Sequence, residues 1–110
     1  MKARYVQRGE SIDYTPETDV AAGDIIKIGS LVGVAKLDIK AGELGALAVV
    51  GVYEIATGGA AVALGDVVSV DPATGKVAAA ASGAVKFGHA VTAATASDAT
   101  VNVRLEQGLA

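Results

Sequence analysis

Apolar and polar residues alternate most regularly late in the chain, where Val101, Val103 and Leu105 fall on one side of an extended segment and Asn102, Arg104 and Glu106 on the other. This is the period of two of a strand with one wet face. Further short apolar stretches are RYVQR (4–8), SIDYT (11–15), DIIKI (24–28), LVGVAKL (31–37), GALAVVGVYEI (45–55), DVVSVD (66–71), KVAAA (76–80) and AVKFGHAVTA (84–93), with TVNVRLE (100–106) as the last. Each is bounded by Gly, Pro, Asn, Asp or Ser. The pattern predicts an all-β fold: a small single-domain β-sandwich or barrel of about nine short strands, with at most one or two short helices. Alanine, the best helix former, is concentrated in VAAAA (77–81) and GGAAVAL (58–64). Runs this short and glycine-flanked are marginal as isolated helices. The first is therefore read as strand, and one helical turn is allowed in the second.

The turns carry a signature. AAGDIIKIG (21–29) returns forty-two residues later as ALGDVVSVD (63–71), and looser copies occur in RGESI and KAGELG. A glycine here permits the positive φ of a tight turn, and the acid after it hydrogen-bonds nearby backbone before the strand begins. The glycines Gly9, Gly23, Gly42 and Gly65 are spaced by 14, 19 and 23 residues, whereas a solenoid or propeller keeps one period. The copies are thus expected to be punctuation between strands, not a module array. DPATGK (71–76) reads as a hairpin turn, with Pro72 pre-setting φ and Gly75 free to adopt a left-handed conformation.

Composition adds a constraint on burial. The 110 residues include 23 Ala and 16 Val but only one Phe, three Tyr and no Trp. Small side chains bury little area each, so the core is predicted to be thin and self-association to supply further burial. The net charge of −3, with acids spread along the chain, disfavours a nucleic-acid surface. Cysteine is absent, which removes disulfides, thiolate chemistry and the usual zinc ligands. The longest apolar run, LGALAVVGVY (44–53), is about half of a membrane span, and MKARYVQRGES lacks a signal-peptide core. These features predict a soluble protein made and kept inside a cell, with no membrane partner.

Charge is uneven near the start. Lys2, Arg4 and Arg8 precede a base-free stretch carrying Glu10, Asp13, Glu17, Asp19 and Asp24. Residues 1–8 are therefore a candidate N-terminal arm, with Lys2, Arg4 and Tyr5 as candidate contact residues, and 16–22 a solvated loop. The competing reading makes the same segment an ordinary first strand. Catalytic chemistry finds little support. His89, the single histidine, has no nucleophile or acid beside it in sequence. ATGK lacks the first glycine of a phosphate loop and has Val77 in place of the magnesium-holding Ser or Thr. No metal-ligand spacing occurs, so no catalytic, cofactor or metal residue is assigned.

Two family resemblances are present. GDIIKIGSLVGVA (23–35) with DIKA (38–41) resembles biotinyl and lipoyl carrier domains, which would make Lys40 the modified residue. In that family, however, an acid directly precedes the lysine, and here Ile39 intervenes. The second covers nearly the whole chain. YVQRGESIDYT, AAGDIIKIGSLVGVAKLDIKAGELGALAVVGVYEI, ALGDVVSVDPATGKV, FGHAV and TVNVRL, in that order, resemble the small capsid cement, or decoration, proteins of tailed bacteriophages and prophages. The resemblance implies a non-enzymatic β-rich protein on the capsid exterior, placed there after a stay in the host cytoplasm. It also implies the major capsid protein as partner, clamping of neighbouring capsid subunits, and a homotrimer. No cofactor is implied.

Overall fold

The computed structural model describes residues 2–78 and 84–108 of the chain. Among these residues nine strands form, in chain order β1 (Ser11–Tyr14), β2 (Ile25–Ile28), β3 (Leu31–Ala35), β4 (Gly45–Ala48), β5 (Val52–Ala56), β6 (Val67–Asp71), β7 (Lys76–Val77), β8 (Val85–Ala90) and β9 (Thr100–Leu105). No helix occurs among the described residues. The expected all-β class holds, and of the two architectures foreseen the barrel is present, beside an open sheet. Strands β1–β4 make an open antiparallel sheet in the order β1-β4-β3-β2, and β5–β9 close into a barrel in the order β5-β7-β6-β8-β9. The barrel closes through one parallel contact, Ala56 of β5 against Lys76 of β7.

The strand set differs from the sequence reading in three places. The stretch 4–8 is not a strand. It pairs with nothing and its side chains are exposed. The long apolar run 45–55 is two strands, because Gly51 adopts φ 121°, a conformation L side chains rarely take, and the chain leaves the open sheet there to enter the barrel. At 58–64 the allowed helical turn is replaced by a turn at Gly58 and Gly59, both at positive φ, and by a bridge from Val62 to Ala94. Of KVAAA, Lys76 and Val77 are strand, and residues 79–83 lie outside the described residues. The 16–22 segment is a loop, but Pro16 and Val20 within it are buried.

All four Gly-acid glycines have positive φ, between 79° and 92°. The two Asp copies are built alike. Asp24 Oδ2 accepts from Ala21 N at 3.0 Å and Asp66 Oδ2 from Ala63 N at 2.9 Å. Gly23 N donates to Ala35 O as Gly65 N donates to Ala90 O, and Val20 bridges Ile39 as Val62 bridges Ala94. The likeness extends beyond a turn. Strands β1, β4, β3 and β2 have the order of β5, β9, β8 and β6, so the chain contains two repeats of one four-stranded unit. The offset is 42 residues from Val20 to Val62 and 55 from Ile39 to Ala94. The added residues hold β7, whose insertion closes the second unit and destroys the constant period. The expectation of mere punctuation is therefore too modest.

The core follows the pleat. Val101, Val103 and Leu105 of β9 are buried, while Arg104 is exposed. They join Phe87, fully buried on β8, whose ring meets Tyr53 edge-on at 6.0 Å. Burying Phe87 contributes about 1.5–3 kcal/mol, as does each of the Val, Ile and Leu side chains around it, so the core is built mainly from valine and the described alanines lie mostly outside it. Ile25, Val32 and Val34 of the open sheet pack into the same cluster, which fastens sheet to barrel. The sheet's other face, with Leu47 and Ala35, is covered by Val20 and Ile39 from its own loops.

Candidate functional site

Residues 2–8 precede β1 and lie outside the open sheet. Gly9, at φ 80°, turns the chain there, so residues 2–8 do not continue the strand. Tyr5 is 81% and Val6 83% exposed. They are the two most exposed of the large apolar side chains among the described residues, and adjacent exposed apolar residues mark a contact surface more readily than isolated ones do. Arg8 Nη1 lies 3.4 Å from Glu10 Oε1 in an exposed pair of little energetic weight. Gln7 Nε2 donates to the Ser11 carbonyl. Lys2, Arg4 and Tyr5 are thus gathered on one exposed segment, and the competing reading of an ordinary first strand does not hold.

Strand edges are the second available feature. A closed barrel has none, so among the described residues the free strand edges are those of β1 and β2 in the open sheet. A groove beside β1 is lined by Leu37, Ile39 and Leu44, with Leu37 and Leu44 mostly exposed.

Several residues singled out for chemistry have structural partners instead. His89 Nδ1 lies 2.5 Å from Glu106 Oε2 on the outer barrel wall. The contact spans seventeen residues and depends on the β8–β9 register, which local sequence does not reveal. Tyr53 Oη donates to Val50 O at 2.8 Å, and burial raises its phenol above the ordinary value. In ATGK, Thr74 and Gly75 close a turn onto the Asp71 carbonyl between β6 and β7, so strand is followed by strand and not by the helix a phosphate loop opens. Lys40 follows the bridge residue Ile39, and Glu43 N donates to its carbonyl. It begins a turn within the nine residues linking β3 to β4. A carrier lysine instead sits at the tip of a tight hairpin. Among the described residues no group of three or more His, Asp or Glu side chains is placed to hold a metal ion.

The family model for phage cement proteins matches residues 6–105 of the 110. The chain belongs to that family. No curated protein and no solved structure shows a significant match. As a phage cement protein it is a structural decoration protein of the virion capsid, in agreement with the resemblance read from the sequence. Val6 opens the matched span, so Lys2, Arg4 and Tyr5 lie ahead of it.

Proposed function

We propose that this cement protein adds to the exterior of the expanded capsid and bridges neighbouring copies of the major capsid protein, with Lys2, Arg4 and Tyr5 of the arm making part of the attachment. The protein acts as one β domain of 110 residues with residues 1–8 as arm, assembles as a homotrimer, folds in the host cytoplasm, and takes neither nucleic acid, membrane nor cofactor as partner. It performs no catalysis. The observation that supports this reading is the position of residues 2–8, outside every strand and with Tyr5 almost fully exposed. A protein that prefers the expanded lattice stabilises it by differential affinity alone. An extended arm is suited to the task because its backbone can add to an exposed strand edge while Tyr5 buries its ring and the two bases meet acidic groups.

Deletion of residues 2–5 tests the reading. Because this segment contributes no strand, the truncated protein is expected to fold with its thermal midpoint unchanged and to bind expanded capsids at least tenfold more weakly. Lys2→Ala with Arg4→Ala should weaken binding less, and its deficit should shrink at high salt as exposed charges are screened. Unchanged capsid affinity of the folded truncation overturns the assignment.

A further inference from the structure

The geometry points to a self-interface in which β1 of one copy pairs with β2 of the next, joining open sheets edge to edge. This rests on the proposed self-association and specifies its surface. Opposed residues of a sheet share a face, and the registers Ser11↔Ala48, Val34↔Ala48 and Ile25↔Val34 place Ser11 and Ile25 on the same one. By the period of two, Asp13 and Lys27 share that face, whereas Ile12, Tyr14, Ile26 and Ile28 share the other. The two edges therefore carry opposite charges on one face and apolar side chains on the other. Both charged residues are exposed, and Ile28 is 40% exposed.

Direction and register follow. Each neighbouring pair in the sheet is antiparallel, so β1 and β2 at opposite edges run in opposite directions. Copies arranged head to tail about a rotation axis then bring β2 and the next β1 together antiparallel. Placing Asp13 opposite Lys27 sets Ile12 against Ile28 and Tyr14 against Ile26, so every pair is matched. A slip of one residue puts Asp13 against an isoleucine of the other face. A slip of two puts it against Ile25 or Gly29, and the charge pair is lost. On the β2 side, Lys27 borders an open cleft with Ser30 and Glu106, which leaves room for an incoming carboxylate. The contact is heterologous, so it either closes into a ring such as the trimer or propagates. The second unit cannot join in this way, because β7 already occupies the corresponding position between β5 and β6.

Cysteine cross-linking provides the test, since the chain has no cysteine of its own. Within one copy, Asp13 and Lys27 sit on edge strands three spacings, or roughly 14 Å, apart. No internal disulfide can span that distance. Under mild oxidation the Asp13→Cys, Lys27→Cys double variant is expected to give covalent species larger than a dimer that end at a closed ring, whereas either single variant stops at a dimer. In parallel, Asp13→Lys alone should lower the wild-type mass in light scattering, and addition of Lys27→Asp should restore it. A wild type heavier than monomer, with no cross-linked species above dimer and no effect of reversal, overturns the edge pairing while self-association stands. A wild type that is monomeric both free and on capsids overturns both.

Discussion

The side-chain amide of Gln107 pairs with the backbone of Val32 as a strand residue would. Gln107 Oε1 accepts from Val32 N at 2.9 Å, and Gln107 Nε2 donates to Val32 O at 2.6 Å and to Val49 O at 3.1 Å. β4 pairs with β3 only at Val34 and Ala35, so the backbone at Val32 has no strand partner on that side. Gln107, two residues beyond Leu105 at the end of β9, supplies it. The chain end thereby fastens the open sheet to the barrel.

Gln107→Ala should cost about 1–3 kcal/mol, since it leaves the part-buried Val32 donor and acceptor unpaired. Gln107→Glu should be no better than alanine, because a carboxylate accepts from Val32 N but cannot donate to either carbonyl. Urea unfolding of the three proteins checks the ranking, and a glutamate variant as stable as wild type contradicts it.

Because Asp24 and Asp66 cap equivalent turns of the two units, Asp24→Ala and Asp66→Ala should each cost about 1 kcal/mol. The turns are separate and share no partner, so the double variant should lose the sum to within about 0.5 kcal/mol. Thermal denaturation of the singles and the double measures it.

Two glycines should respond differently to alanine. A Cβ on Gly88 runs into the carbonyl oxygen of Arg104 on the neighbouring strand, backbone that cannot yield without parting β8 from β9. Gly88→Ala should cost at least about 3 kcal/mol. Gly65 has open space but φ +89°, so its replacement carries only the conformational penalty, about 1–2 kcal/mol. Denaturant midpoints separate them.

Alkaline stability should report on Tyr53. Burial raises its phenol above 10.0, so the native state holds this proton where the unfolded chain has released it. The resulting stabilisation is complete below pH 10, the unfolded value, and is lost as pH rises through the native one. Urea midpoints should fall across this window, and Tyr53→Phe should flatten the fall while lowering stability at neutral pH through loss of the Val50 hydrogen bond.

What the sequence determined by itself is local. Alternation at Val101, Val103 and Leu105, the hairpin at Asp71 to Lys76 and the four positive-φ glycines are properties of a few adjacent residues, because a strand's faces and a turn's φ are set within one segment. The basic arm was legible as a charge contrast, yet whether Tyr5 would be buried in a first strand depended on its finding an edge to pair with. Tertiary structure decided the rest. Gly51 divides one apolar run between two sheets, β7 closes a barrel around the second unit, and His89 meets Glu106 across the β8–β9 register. Each depends on which strands become neighbours. Pairing energy is shared between segments tens of residues apart, and nothing within either segment alone encodes the partner.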